Sequence, residues 1–158
     1  IRDDLVTGVQ TCALPIYRRT GESAEAELEP IDYAAEFERI ASLGLLERGE
    51  YKTYYSLLAD NLRRYMEGAL VAEAMEKTTT EIEAALRQQA LANDLIRRVA
   101  GYLSTADLVK FARFHPELDS ARRMPETGVA ILRELEDLHK LRSAESESSD
   151  EEHAQPAL

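Results

Sequence analysis

The side chains that most often catalyse reactions or bind metals are scarce in this chain and are not spaced as partners. The three histidines, His115, His139 and His153, include no His-x-x-x-His pair, the helical spacing that directs two imidazoles to one metal ion. The sequence also contains no glycine-rich phosphate loop and no serine nucleophile elbow. We therefore expect no catalytic residue, no metal site and no cofactor, and we predict that the chain is not an enzyme.

Pairs of basic residues are more prominent, and they favour binding to a partner. Adjacent or nearly adjacent cations recur along the sequence: Arg63–Arg64, Arg97–Arg98, Lys110 with Arg113, and Arg122–Arg123. We predict that Arg63, Arg64 and Lys110 contact a protein partner. The structural alternative is that such cations pair with carboxylates one helical turn away, as Arg64 would with Asp60, for a few tenths of a kcal/mol per pair.

A second functional interpretation is a helix-turn-helix that binds nucleic acid. Ser104 is a typical helix N-cap residue, so one helix can end before it and another can begin after it. The second helix would carry Lys110 and Arg113 as recognition residues, with Leu108 and Phe111 in the core. The formal net charge of −11 argues against this interpretation, because binding to a phosphate backbone requires a basic surface.

The longest apolar stripe predicts one well-defined helix. From Tyr51 to Ala69, apolar residues follow the i, i+3, i+4, i+7 spacing of a helix with one buried face. Its tyrosines could stack on a ligand, but tyrosine at helical spacing more often fills a core and sends its hydroxyl to the rim. We therefore expect Tyr51, Tyr54, Tyr55 and Tyr65 in the core.

Shorter apolar stripes and helix-capping residues predict the neighbouring helices. The first helix runs from Tyr33 to near Gly44, and the third begins at a capping box formed by Thr78/Glu81 or Thr80/Glu83. The fourth helix is capped by Asn93 or Asp94, and the fifth is capped by Ser104 and ends before Pro116. The last helix covers residues 118–142, and Pro125 kinks or restarts it. No segment alternates with a period of two for long enough to predict a strand. The predicted fold class is all-α, an orthogonal bundle of five to six helices with disordered termini.

The composition agrees with one helical domain. The chain has 158 residues, of which 6% are aromatic and seven are glycine, and it is rich in Ala, Leu, Glu and Arg, which favour helices. No apolar run approaches the ~18 residues of a transmembrane helix. The single cysteine, Cys12, excludes an intramolecular disulfide framework and a cysteine-based zinc cluster.

The first sixteen residues differ in character from the rest of the chain. Residues 6–16 read VTGVQTCALPI. Residues 1–16 do not show the basic start followed by an apolar region that is typical of a signal peptide. The string resembles a translated sequencing-library adapter. We therefore interpret residues 1–16 as an adapter artefact, which leaves the native part without cysteine and hence without a thiol nucleophile.

Two polar segments flank the predicted helical domain, which spans residues 32–142. Residues 17–31 are polar and rich in Glu and Ala, and we predict that they form a linker. Residues 143–158 hold five carboxylates and neither lysine nor arginine. We predict that they form an acidic disordered tail, because they contain too few apolar residues to bury a core.

Four segments of the predicted helical domain carry a family resemblance. They are residues 49–58 (GEYKTYYSLL), 62–67 (LRRYME), 78–82 (TTTEI) and 103–112 (LSTADLVKFA), the last closed by Pro116. In order and spacing they resemble the cytosolic helical domain of BatD-like bacterial membrane proteins, over about Asp32 to Leu135. The chain departs from the family pattern at Pro125 and in its acidic tail.

The resemblance implies a function and a location. BatD-like proteins belong to operons that encode MoxR-type ATPases and von Willebrand factor A proteins, and their helical domain follows a single transmembrane helix. By resemblance, this chain is a non-enzymatic interaction domain at the cytoplasmic face of the bacterial inner membrane, with those two proteins as partners. Residues 17–31 are then a juxtamembrane stub whose Arg18 and Arg19 agree with the positive-inside rule, and the chain itself is a soluble fragment. The family supplies no catalytic residues that could be transferred to this sequence.

Overall fold

The computed structural model describes residues 30–152, with side-chain surroundings up to residue 147. Its helices are α1 (Tyr33–Ser42), α2 (Tyr51–Ala69), α3 (Thr79–Gln88), α4 (Asn93–Phe111) and α5 (Leu118–Glu152). No strand occurs in this range, so the predicted all-α class is confirmed. The chain divides into two units between Ile31 and Asp32, and all five helices belong to the second. The predicted adapter 1–16 and nearly all of the predicted linker 17–31 lie outside the described residues.

Helices α2 and α4 form the centre of the bundle. α2 packs against α1, α4 and α5, while α4 packs against α2, α3 and α5. α1 also packs on α5, whereas α4 is the one described helix whose backbone α3 approaches. Every helix contributes fully buried apolar side chains to one core, each worth about 1.5–3 kcal/mol before entropic costs. Its largest members are Phe37, Ile40, Tyr54, Tyr55, Leu58, Leu62, Met66, Ile82, Leu86, Ile96, Leu103 and Ile131.

Local signals fix the starts of α2 and α3. α2 begins at Tyr51 and ends at Ala69, as its apolar stripe predicts. At α3, Thr78 Oγ1 accepts a hydrogen bond from the Glu81 amide at 3.3 Å, and the Glu81 carboxylate accepts one from the Thr78 amide at 2.7 Å. The capping box therefore forms in the first of the two predicted registers. For α4 the N-cap is Ala92, which precedes both predicted caps.

The helix break predicted at Ser104 is wrong. α4 passes through Ser104 without interruption. Within the helix, Thr105 Oγ1 donates to the Gly101 carbonyl at 2.8 Å, a bond that hydroxyl residues make inside helices as well as at their ends. Asp107, three residues after the predicted cap, instead accepts a hydrogen bond from Thr79 Oγ1 at 2.7 Å. The predicted fourth and fifth helices are one helix, so the turn that a helix-turn-helix needs at this position is not formed.

Of the kink or restart predicted at Pro125, the restart is wrong, because α5 continues through this residue. Proline has no N–H, so the carbonyl of Ala121, four residues earlier, loses its helical donor. In the structure the hydroxyl of Tyr54 donates to this carbonyl at 3.0 Å, in the buried interior. A side chain of α2 therefore replaces the missing backbone bond and joins α2 to α5.

Helix α5 extends beyond the predicted end at Arg142 and reaches Glu152. The start of the predicted disordered tail, 143–158, therefore falls inside a helix, and residues 153–158 lie outside the described part. The segment contains Ala and Glu, which have high helix propensity, and an existing helix is easier to extend than to nucleate. Arg142 donates to the side-chain carbonyl of Gln89 at 3.2 Å, which fastens α5 to the end of α3 just before the exposed residues 143–147.

Candidate protein-docking surface

Large apolar side chains are exposed at the C-terminal end of α4. Phe111 is 76% exposed, Leu108 is 50% exposed and Phe114 is 48% exposed. Met75, in the loop before α3, is 37% exposed and lines a groove together with Phe111. Within residues 30–152, these are four of the eight large hydrophobic side chains that are exposed. Single exposed apolar residues are common on proteins, but a cluster is typical of an interaction site.

Cationic side chains lie beside these apolar residues. Lys52, Lys110 and Arg113 line a groove with the two exposed phenylalanines. None of the three cations forms an ion pair with a carboxylate of the described chain. The one acidic side chain of this groove, Glu50, is paired with Arg48 at 2.7 Å. The groove therefore presents unneutralised positive charge on a protein with a net charge of −11.

We call this region the α4-end surface. Its members are Lys52, Met75, Leu108, Lys110, Phe111, Arg113 and Phe114. The Lys110 ammonium lies 5.4 Å from the centre of the Phe111 ring, in cation–π range. The charge of Lys110 also compensates the negative end of the α4 dipole.

The backbone at the end of α4 holds Arg113 in an unusual conformation. The Leu108 carbonyl accepts hydrogen bonds from the amides of Ala112 at 3.0 Å and Phe114 at 3.2 Å. Arg113 lies between these two amides and has a φ of 53°, a left-handed conformation that costs a residue with a Cβ about 1–2 kcal/mol. Glycine usually occupies this position at a helix end. Ala90 adopts the same conformation after α3, so the conformation marks a helix end, and at Arg113 it occurs between two exposed aromatic residues.

Arg63, the first of the predicted contact residues, lies beside this surface but is bonded within the chain. Its guanidinium donates to the carbonyls of Ala74, at 3.3 Å, and Lys77, and to Thr79 Oγ1 at 3.5 Å. These bonds hold the loop 70–78 against α2. Arg63 therefore positions the part of the surface that carries Met75.

Lys110 and Arg64, the other predicted contact residues, lie in different places. Lys110 lines both grooves of the α4-end surface, and Arg63 lines one of them. Arg64 is exposed toward α1, near Glu36. The pKa of Glu36 is lowered mainly by its hydrogen bond from Arg39, with a smaller contribution from the charge of Arg64. The ion pair with Asp60, which was the structural alternative for Arg64, is not formed within the described residues.

The tyrosines of α2 occupy the core, as predicted, with one exception. Tyr54, Tyr55 and Tyr65 are buried, and burial raises the pKa of each to about 12. Tyr51 is half-buried at the edge of the α4-end surface. Its ring meets that of His115 edge-on, with centroids 6.1 Å apart.

Leu108 and Phe111 were predicted to lie in the core, and this prediction is wrong. Because of it, the α4-end surface was not predicted from the sequence. In one continuous α4, the buried stripe runs through Val99, Leu103 and Ala106 and continues to Val109. Leu108 and Phe111 fall off that stripe by helical geometry. Extending the α4 apolar period past Ser104 in the sequence would have predicted their exposure.

Residues 30–152 contain no group of three or more His, Cys, Asp or Glu side chains arranged to hold a metal ion. In the same range, no helix combines the length and the apolar character needed to cross a membrane. Comparisons with protein-family models, curated proteins and solved structures find no match to the chain.

Proposed function

We propose that this chain is a non-enzymatic interaction domain that docks a partner protein on the α4-end surface. The observation that carries the proposal is the exposure of Leu108, Phe111 and Phe114 at the end of α4. The two phenylalanines share a groove with three cations that form no ion pair with a carboxylate of the described residues. Aromatic and arginine side chains are enriched in the energetically dominant centre of protein interfaces, where they insert into pockets of the partner. The surface combines both residue types at the end of one helix.

The proposed setting is the cytoplasmic face of a bacterial inner membrane, with the domain attached to a single transmembrane helix. The proposed partners are a MoxR-type ATPase and a von Willebrand factor A protein. Support comes from the resemblance to BatD-like proteins. Its most specific segment, Ala106 to Ala112, is also the segment that supplies Leu108, Lys110 and Phe111 to the α4-end surface.

The test is calorimetric titration of the domain with each of the two purified partner proteins. We expect binding at about micromolar Kd, as is usual for transient interfaces of modest size. The double variant Phe111→Ser, Phe114→Ser should weaken binding at least tenfold, since each residue is an exposed apolar anchor. Leu43→Ser is the matched control, because Leu43 is also exposed but lies at the end of α1, outside the surface. Absence of binding to both partners, or equal loss in the control, contradicts the proposal.

Nucleic acid is the competing ligand class, because unpaired cations also bind phosphates. Binding to phosphates releases counterions and weakens steeply as salt rises. Tight duplex binding with that salt dependence, lost on substitution of Lys110 and Arg113 but unaffected by substitution of Phe111, would replace the protein partner with a nucleic acid.

A further inference from the structure

The far end of α5 carries chemistry complementary to the α4-end surface. No lysine or arginine follows Arg142, whereas Glu145, Glu147 and three further carboxylates do. Leu141, just before this segment, is 62% exposed. Negative charge near a helix C-terminus is unfavourable because the helix dipole is negative there, yet α5 reaches Glu152. An external cationic surface would stabilise this end of the helix.

The two complementary regions of one molecule cannot meet. Six residues, 112–117, join α4 to α5, so the α4-end surface lies beside the first turn of α5. Glu145 is then about 40 Å away along the helix, at about 1.5 Å per residue. Any contact between the acidic end of α5 and the α4-end surface must therefore involve two molecules.

We propose that the acidic end of α5 in a second copy of the chain docks on the α4-end surface, so that copies associate head to tail. Leu141 supplies the apolar anchor for the exposed phenylalanines, and the carboxylates of Glu145 and Glu147 face Lys52, Lys110 and Arg113 of the neighbouring copy. The proposal rests on the proposed function, since it places a second copy on the same docking surface. A contact between two different surfaces leads to chains or rings, in contrast to a symmetric dimer.

The ionic character of the contact makes it sensitive to salt. Exposed charges are screened beyond about 8 Å at physiological ionic strength and beyond about 3 Å at 1 M salt. Association should therefore be strongest at low salt and should weaken as salt is added. A contact made by apolar burial alone would not weaken in this way, because salt screening acts on charges.

The test is sedimentation velocity of the full chain over a concentration series at low and high salt. We expect the average mass to rise with concentration at low salt and to return to the monomer at high salt. The double variant Lys110→Glu, Arg113→Glu should weaken association at least tenfold, because it places like charges opposite each other. The complementary variant Glu145→Lys, Glu147→Lys should do the same.

Mixing the two charge-reversed variants provides the decisive measurement. Each is expected to be monomeric alone, and an equimolar mixture should associate. The unchanged tail of the surface variant fits the unchanged surface of the tail variant, and the two reversed regions fit each other. Arg64→Glu is the control for a charge change outside the surface and should associate like the parent chain. Circular dichroism and the unfolding midpoint of each variant establish that the fold is retained.

Several results would overturn the proposal: a monomer at all concentrations, association that neither charge reversal affects, or a mixture that stays monomeric. These outcomes are distinct from failure of the proposed function. A monomeric chain that still binds the ATPase through Phe111 overturns only the head-to-tail contact. A self-associating chain that binds neither partner protein overturns only the proposed function.

Discussion

Replacing Tyr54 with phenylalanine should destabilise the fold, because its hydroxyl substitutes for a backbone hydrogen bond that Pro125 cannot make. The Tyr54 hydroxyl donates to the Ala121 carbonyl at 3.0 Å, and both residues are buried. Tyr54→Phe leaves this carbonyl without that donor and too deep for water to replace it. Leaving a buried polar group unpaired costs about 1–3 kcal/mol, and we expect the loss in unfolding free energy to fall in that range.

Tyr102→Phe is the matched control for this substitution. The Tyr102 hydroxyl is also buried, but it has no hydrogen-bond partner among the described residues. Removing a buried polar group that makes no hydrogen bond relieves a desolvation cost. The same chemical change should therefore be neutral or stabilising at Tyr102 and destabilising at Tyr54.

The assay is urea unfolding followed by far-ultraviolet circular dichroism. The slope of unfolding free energy against urea concentration should be the same in every variant. Repeating the substitution in a chain that carries Pro125→Ala tests whether the missing proline N–H is the reason for the loss. Pro125→Ala restores an N–H that can donate to the Ala121 carbonyl, so Tyr54→Phe should cost much less in that background than in the parent chain. This coupling should lie within the range of about 0.5–3 kcal/mol found between interacting residues. The reasoning is refuted if Tyr54→Phe costs no more than Tyr102→Phe, or costs the same in both backgrounds.

Two matched pairs and one titration test the rest of the fold. Gly101→Ala should stabilise by about 0.5–1 kcal/mol, since Ala favours helices and the added Cβ meets open space. Gly128→Ala should destabilise by about 1–2 kcal/mol, because its Cβ would lie 2.6 Å from the buried Phe37 ring; equal urea midpoints for the two variants would contradict this packing. Ala90→Gly should raise the unfolding free energy by about 0.5–1 kcal/mol, because Ala90 has a φ of 55°. The same substitution inside α3, Ala84→Gly, should lower it by about 1 kcal/mol. If thermal melts show that both variants are destabilised, the left-handed turn at Ala90 is contradicted. Burial raises the pKa of the core tyrosines of α2 from 10.0 to about 12, so the unfolded chain releases tyrosine protons first. The ionisation of these three tyrosines should therefore leave stability unaffected below pH 10 and lower it as pH rises from about 10 to about 12. The tyrosinate absorbance of these three residues, isolated by comparison with their Phe variants, should rise as helicity is lost; their ionisation in the folded chain near pH 10 would argue against burial.

The sequence predicted the helices whose signals are local. The stripe from Tyr51 to Ala69 is long and unbroken, so its period determines both ends of α2. The capping box at Thr78 similarly determines the start of α3. The helix break predicted at Ser104 was wrong because serine is compatible with a helix start and with a helix interior. The packing of the residues before and after Ser104 decides between the two.

Long-range contacts explain the remaining errors. The passage of α5 through Pro125 depends on Tyr54, which lies 67 residues from Ala121 in the sequence, so no local pattern could have revealed it. At the candidate site, Lys110 was predicted as a contact residue because cations are visible in the sequence. It lies on the α4-end surface, and its contact with a partner stays a prediction. The role of Arg63 in holding a loop depends on carbonyl groups that only the folded chain brings together.

The most direct test of the α4-end surface as a docking site is a nuclear magnetic resonance titration of the isotope-labelled chain with the MoxR-type ATPase or the von Willebrand factor A protein. If the α4-end surface is the docking site, the amide signals of Lys110, Phe111, Arg113 and Phe114 shift or broaden first, while that of Arg64 stays unchanged. Changes centred on Arg64 and α1, or no change with either protein at saturating concentration, would contradict it.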